Sequence, residues 1–281
     1  MALSITSLNS GSNGNCYYIG NEQEAILVDA GLSCRETEKR MHRLGLSMQR
    51  VKAIFISHEH TDHISGLTQL ATNYRLPVYL SDRTLRGCRL PINSLDTRPL
   101  YGYQPIWVGE LCITAFPKFH DAADPKSFIV QHQQLTVGVF TDIGRVCEHV
   151  ITHFKQCHAI FLEANYDDDM LDRGRYPAFL KQRIRGGYGH LSNRQAAELF
   201  RQHRPAFMSH VLLSHLSQEN NTPDRALSAF LPHSQQTRII VASRHNETPV
   251  FTIEAQPVTR TERYPSFQDS LSSFLSQSNQ N

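Results

Sequence analysis

Three imidazoles and a carboxylate fall within the short run His58-Glu59-His60-Thr61-Asp62-His63, directly after the apolar stretch Ala53-Ile54-Phe55-Ile56-Ser57. That density of ligand chemistry at the end of a buried strand suits a site for a pair of metal ions. Alternate residues of an extended segment project to the same side, so His58 and His60 can converge on one ion. A helix beginning near Asp62 would carry Asp62 and His63 round to a second position close by. Imidazole and carboxylate without thiolate suit zinc, and also manganese or iron. The bland alternative is a surface histidine cluster.

Those side chains need rigid strand ends to hold them. Val51–Ser57 reads as the buried strand that delivers the cluster, and His63–Tyr74 as a helix ended by Pro77. Upstream, Leu3–Leu8, Cys16–Ile19 and Glu24–Asp29 read as strands, with the turn-rich Asn9-Ser10-Gly11-Ser12-Asn13-Gly14-Asn15 between the first two. Ser33–Leu44 has helical spacing, a Ser start and a Gly45 stop. Downstream the pattern predicts strands over Leu111–Phe116, Phe128–His132, Leu135–Thr141, Ala159–Glu163, Ala206–Leu213 and Arg238–Ala242. It predicts helices over Asn193–His203 and Pro223–Leu231, the second capped by Thr222 with Pro223 at its first position. The expected organisation is a single domain over residues 1–245, followed over 246–281 by a C-terminal strand and a polar tail. Gln268–Asn281, rich in Ser, Gln and Asn, is expected to be disordered.

With 281 residues and 40% hydrophobic content, the chain can bury a full core. No apolar run approaches the length of a bilayer span, and Met1-Ala2-Leu3-Ser4 lacks the charge pattern of a signal peptide. A cytoplasmic protein without membrane association is expected. Cys16, Cys34, Cys88, Cys112, Cys147 and Cys157 form no Cys-x-x-Cys pair and read as small core residues. A net charge of +2 is too small to argue by itself for nucleic acid.

The His-x-His-x-Asp-His pattern resembles the metallo-β-lactamase superfamily, and further segments extend the resemblance over about 240 residues. It implies an α/β fold, the αββα sandwich of two mixed β-sheets flanked by helices. Asp29, in Val28-Asp29-Ala30-Gly31, matches the aspartate that supports the metal-binding loop from behind. His120, Asp142 and His215 match the remaining ligands, Asp142 standing where family members place the carboxylate that bridges both ions. The resemblance thus implies two divalent ions, Zn2+ or Mn2+, with iron as a further candidate. One would sit on His58, His60, His120 and Asp142, and the other on Asp62, His63, Asp142 and His215. Such a pair can hold a bridging hydroxide, which Asp62 would orient.

This superfamily hydrolyses lactams, thioesters and phosphodiesters with similar cages, so the substrate must be argued from other residues. Glu163, in Leu162-Glu163-Ala164, and His190, in Gly189-His190-Leu191-Ser192, resemble the acid pair of RNase Z-type nucleases. For Glu163 the alternative is a structural hydrogen bond, and for His190 a direct metal ligand in competition with His215. The whole pattern resembles the WalJ/YycJ-like branch, described as DNA exonucleases. The segments that carry this are Ser10–Asn15, His120–Pro125, Gly189–Asn193 and His215–Pro223. The 73 positions between Asp142 and His215 leave no room for the inserted domain of β-CASP nucleases.

The expected partner is therefore nucleic acid, DNA ahead of RNA, and a homo-oligomer is left open. Arg173, Arg175, Lys181, Arg183 and Arg185, interleaved with Tyr176, Phe179 and Tyr188, lead directly to His190 and could meet phosphates and a terminal base. A solvated helix face is the alternative, and Asp167, Asp168, Asp169 and Asp172 just before the cluster weaken the functional reading. A second basic cluster is Arg83, Arg86 and Arg89, while Asp121 and Asp124 lie beside a candidate ligand. Two other classes compete with the nuclease: a small-molecule hydrolase, either a cyclic phosphodiesterase or a thioesterase, and a non-catalytic binding protein on a relic fold.

Overall fold

In the computed structural model, which describes residues 2–92 and 94–255, short apolar runs, several of them buried throughout, build strands that pack into two layers. The first sheet contains β1 (Ala2–Asn9), β2 (Cys16–Gly20), β3 (Ala25–Val28), β4 (Val51–Phe55), β5 (Val78–Leu80) and β6 (Thr97–Pro99). The second contains β7 (Pro105–Val108), β8 (Leu111–Pro117), β9 (Lys126–His132), β10 (Leu135–Phe140), β11 (Ala159–Glu163), β12 (His210–Ser214) and β13 (Arg238–Val241). A last strand, β14 (Phe251–Glu254), returns to the first sheet and pairs antiparallel with β1. Neighbour order is β14-β1-β2-β3-β4-β5-β6 in one sheet and β13-β12-β11-β10-β9-β8-β7 in the other. Each sheet is therefore mixed: β3 to β6 run parallel in the first, and β10 to β13 in the second.

Three apolar clusters define the layers. Between the sheets lie Tyr17, Ile26, Phe55, Phe128, Val139 and Phe161, all buried. On the outer face of the first sheet, α1 (Cys34–Arg43), α2 (Thr61–Ile64) and α3 (Leu67–Tyr74) contribute Met41, Ile64 and Leu70. The short α4 (Asp82–Gly87) follows β5. On the outer face of the second sheet, α5 (Glu148–Phe154) contributes Phe154. Next come α6 (Asp168–Arg173) and α7 (Ala178–Arg185), and then α8 (Asn193–His203) and α9 (Pro223–Phe230), which contribute Phe200 and Phe230. Helices, two sheets and helices form the expected αββα sandwich. Truncating a ring such as Phe55 at its centre would cost about 3–5 kcal/mol.

Local signals worked where the chemistry is local. Ser33 caps α1 by accepting from the Glu36 N–H, and Ser192 forms a reciprocal capping box with Gln195 at the start of α8. The single helix expected over His63–Tyr74 is instead two, α2 and α3, broken at Ser65-Gly66. A Cβ on Gly66 would run into the Leu32 carbonyl, so the backbone there packs closer than any side chain allows. The second of them ends at Tyr74, the expected last residue, where a left-handed Arg75 stops the helix before Pro77 is reached. The strand expected from Ala206 begins only at His210, because residues 206–207 form a turn.

All six cysteines are free, and Cys16, Cys34, Cys112 and Cys157 are buried. No helix among the described residues is long and apolar enough to cross a membrane. The segment expected to be disordered, Gln268–Asn281, lies outside the described residues.

Candidate metal centre

Parallel strands place their C-terminal ends on one edge, and both sheets bring that edge to the same place. Asp29 follows β3, His58 follows β4, His120 follows β8, Asp142 follows β10, and His215 follows β12, while Glu163 is the last residue of β11. Asp29, Asp142 and His215 each take a left-handed backbone, with φ of 62°, 52° and 58°. Asp and His enter that region more readily than most side chains, and the bend turns each strand end towards the site.

The His58–His63 loop is fixed by backbone contacts from its neighbours. Asn15 N–H donates to the Asp62 carbonyl at 2.7 Å, Ala30 N–H to the His63 carbonyl at 2.8 Å, and Lys126 N–H to the Ser57 carbonyl at 2.9 Å. Glu59 turns away from the imidazoles and accepts from the Ala123 N–H at 2.7 Å. Asp29, fully buried, accepts from the Ser57 N–H at 2.8 Å and the Ser57 hydroxyl at 2.9 Å. It also lies 2.7 Å from His63 Nδ1.

Each outer ring nitrogen has an acceptor. His58 Nδ1 lies 2.9 Å from Ser57 Oγ, His120 Nδ1 lies 3.0 Å from the Gly189 carbonyl, and His215 Nδ1 lies 3.2 Å from Glu163 Oε1. A proton on those nitrogens leaves the Nε2 lone pairs of His58, His63, His120 and His215 free, the arrangement typical of metal-ligating imidazoles.

The inner donor atoms form two groups. In the first, His58 Nε2 is 3.0 Å and His120 Nε2 3.4 Å from His60 Nδ1. In the second, His63 Nε2 and His215 Nε2 each lie 3.4 Å from Asp62 Oδ2. Between them stands Asp142, with Oδ1 3.9 Å from His120 Nε2 and Oδ2 3.2 Å from His63 Nε2. A tetrahedral ion with bonds of about 2.1 Å holds its donors about 3.4 Å apart, so both groups fit a zinc-sized cation. Asp142 Oδ2 is buried and, despite its nearness to His63, has no hydrogen bond of acceptable alignment. A buried carboxylate oxygen left in that state fits an additional cationic partner.

Electrostatics within the protein agree. Burial and the charge of His63 push His58 well below the usual imidazole range, and burial with only partial compensation from Asp142 brings His120 down to about 4. His63 and His215 go the other way. Burial opposes their charge, but Asp142, Asp29 and Asp62 hold His63 well above its ordinary value, and Asp142, Asp62 and Glu163 raise His215 to about 10. Burial would raise Asp62 and Asp142, yet the neighbouring imidazoles hold both carboxyls low. Cation binding in this centre therefore competes with protonation of His63 and His215.

Beside the two groups, Glu163 is fully buried. Its Oε2 accepts from the Ile143 N–H at 2.7 Å and the Leu191 N–H at 3.1 Å, while Oε1 lies 2.8 Å from His190 Nδ1. The carboxylate therefore makes structural hydrogen bonds and orients an imidazole at once. Burial opposes its ionisation, but His190 and His215 lower it to about 2. His190 is half-buried, 3.7 Å from Asp142 Oδ1, and only His215 reaches both Asp62 and the His63 group.

The basic segment is brought together differently. Arg183 pairs with Asp121 at 2.5 Å, Arg185 pairs with Asp172, and Lys181 Nζ donates to the Asp172 carbonyl at 2.8 Å. Arg173 and Arg175 are exposed and make no ion pair among the described residues. Asp124 is held by Lys126 at 2.6 Å, and Arg83 and Arg86 lie in α4 with Arg89 just after it. Three polar residues near the centre escaped the sequence reading. Asn15 Nδ2 is 3.1 Å from Asp62 Oδ2, Asn165 Nδ2 donates to the His215 carbonyl at 2.7 Å, and buried Lys118 donates to the Thr141 carbonyl at 2.6 Å. The signal was present for the first two, which stand in the Ser10–Asn15 turn and just after Glu163.

Residues 24–215 match the family model described as "Beta-lactamase superfamily domain". The chain is 34% identical over 229 residues to a protein of Bacillus anthracis named exodeoxyribonuclease YycJ, covering 80% of this chain and 87% of that one. It is 30% identical over 224 residues to the exodeoxyribonuclease WalJ of Streptococcus pneumoniae, covering 78% and 83%. Among solved structures, the metallo-beta-lactamase fold protein YhfI of Bacillus subtilis superposes with a TM-score of 0.71 at 16% identity, over 89% of this chain and 99% of that chain. That likeness speaks for the fold.

Proposed function

Because this chain belongs to the beta-lactamase superfamily and is a metal-dependent hydrolase, we propose that it is a dinuclear phosphodiesterase acting as a DNA exonuclease. His58, His60, His120 and Asp142 would hold one divalent ion, and Asp62, His63, Asp142 and His215 the other. Zinc and manganese both suit this nitrogen and oxygen set. Such ions supply Lewis acidity towards a phosphate oxygen and lower the pKa of a water.

The chain's own residues do the rest. Asp62 Oδ2 is engaged with Asn15, His63 and His215, which leaves Oδ1 to orient the attacking water. Asp29 and Ser57 lock the imidazole rings from behind. His190, held at Nδ1 by Glu163, presents Nε2 to the scissile phosphate, where a proton can pass to the leaving oxygen. This contact carries the reading: a half-buried imidazole fixed at 2.8 Å by a fully buried carboxylate beside Asp142 serves a departing alkoxide. The two relatives named exodeoxyribonucleases support DNA as the substrate.

The test is degradation of end-labelled single- and double-stranded DNA by manganese- and zinc-loaded protein, with Asp62→Ala as the control. Stepwise shortening that disappears in the variant is the expected result and also gives the polarity. Intact DNA together with turnover of a cyclic phosphodiester or a thioester would sink the nuclease reading.

A further inference from the structure

The rim of the metal centre carries a cluster that the mechanism above does not use. Three segments meet there: residues 118–121, 143–145 and 187–190. Gly144 N–H donates to the Phe119 carbonyl at 2.6 Å, and Asp121 N–H donates to the Tyr188 carbonyl at 2.9 Å. A Cβ on Gly144 would strike the Gly187 carbonyl, so the third segment can close on the second only because that position is glycine. Each segment also carries, or lies next to, one residue of the centre: His120, Asp142 or His190. A group on this rim is thus tied by a short, hydrogen-bonded path to the atoms that would act on the phosphate.

The side chains projecting from it are Phe119, Arg145 and Tyr188. The Arg145 guanidinium sits 3.7 Å from the Phe119 ring centroid and 6.0 Å from that of Tyr188, and the two rings meet edge to face at 5.8 Å. Arg145 makes no ion pair among the described residues, in contrast to Arg183 and Arg185. Tyr188 is 54% exposed although its carbonyl is held by the Asp121 N–H. An exposed, immobilised aromatic beside an unpaired guanidinium matches the chemistry of a nucleotide, a flat base with a phosphate attached.

We propose that Tyr188 and Arg145 form the subsite for the nucleotide next to the scissile phosphate, Tyr188 stacking on its base and Arg145 pairing with the adjoining phosphate. This inference rests on the nuclease reading and names how that substrate is held. Phe119 positions Arg145 from below. Phe179, more exposed at 76%, lies on α7 and shares none of these links to the centre.

Binding and cleavage separate the inference from the reading beneath it. The binding probe is a fluorescein-labelled single-stranded oligonucleotide with phosphorothioate-protected ends, titrated by anisotropy into the metal-loaded full chain. Tyr188→Ala should weaken binding about 5- to 100-fold, the range for loss of one stacked base, while Tyr188→Phe retains it. Arg145→Gln should lower the salt dependence by about one counterion. In cleavage, Tyr188→Ala should raise KM on natural DNA and lose that effect on DNA whose terminal nucleotide is abasic.

Cleavage unaffected by Tyr188→Ala, or an equal loss on natural and abasic ends, would overturn the platform and leave the nuclease standing. Binding that depends on Tyr188 without any cleavage would overturn the nuclease and leave the platform. A wild-type protein that does not bind the oligonucleotide would overturn the platform.

Discussion

In the strand-end centre, carboxylates and imidazoles are mostly buried and face one another, and Asp142 Oδ2, 3.2 Å from His63 Nε2, makes no well-aligned hydrogen bond. On helix α7 the arginines are exposed and are paired with carboxylates of neighbouring segments, Arg183 with Asp121 after β8 and Arg185 with Asp172 of α6. The first arrangement costs folding free energy unless something from outside completes it. The second is nearly neutral, since exposed ion pairs contribute about 0–1 kcal/mol. Density of charge in a sequence therefore says little by itself, and what the fold leaves unsatisfied says more.

The strongest way to break this contrast is at Asp142. Asp142→Ala removes the carboxylate whose two oxygens face both donor groups, so kcat on DNA should fall by about 10³-fold or more, and bound metal measured by atomic emission should drop with it. Wild-type turnover and metal content in the variant would show that the groups do not share it.

Asp29 tests the support from behind. Asp29→Asn keeps the shape but turns an acceptor for Ser57 and His63 into a part-donor, and metal affinity should weaken about 10- to 100-fold in chelator competition. An unchanged affinity would mean that His63 is oriented by packing alone.

His153 sharpens the comparison, because it too is buried with an unbonded nitrogen, Nδ1, yet stacks on Phe116 at 4.2 Å and belongs to none of the donor groups. Burial, with a smaller contribution from His149, lowers it to about 4. The unfolded chain, at an ordinary value of about 6.5, binds the extra proton first. The stability of the neutral imidazole is therefore complete above about pH 6.5 and is lost as the pH falls towards about 4. At about pH 5 the loss is roughly 2 kcal/mol, some 30-fold in the folding equilibrium. His153→Phe should lessen the fall of the urea midpoint over that window, where other buried imidazoles such as His120 and His158 also titrate, and a variant with the same acid sensitivity as wild type would refute the assignment.

The smallest effect separates two arginines. Arg145→Gln should raise KM for DNA by about 5-fold, whereas Arg185→Gln, losing a guanidinium already paired with Asp172, should leave KM unchanged. Equal effects would erase the distinction between paired and unpaired surface charge.

These differences also explain what could be read from the chain. Metal chemistry restricts residue type and spacing, so His58, His60, Asp62 and His63 stand out, and the strands that end at Asp29, Asp142 and His215 are marked by apolar runs. The sandwich follows from those runs and from the resemblance they support. Tyr188 stood out beside His190, but its pairing with Arg145 was illegible, because the two meet through a contact across 43 positions of chain, which no local pattern encodes. The short strands β5, β6 and β7 were missed for a related reason. Each takes its identity from a neighbour's hydrogen bonds, and Pro99 and Pro105 argue against a strand in isolation. The break at Gly66 depends on the Leu32 carbonyl, again a distant partner.

The return of β14 to β1 sets an order of events for folding. Thr6 Oγ1 donates to the Thr248 carbonyl, just before β14, at 2.8 Å across 242 positions, and β1 and β14 are paired from Ala2–Glu254 to Ile5–Phe251. During synthesis β1 emerges long before β14, and its outer edge lacks that partner until nearly all of the described chain has followed. Closing so long a loop is a slow step, although its entropic cost rises by only about 0.6 kcal/mol per doubling of length. Until then the exposed edge of β1 can recruit a strand from another molecule, so the nascent chain is most prone to aggregation before β14 arrives.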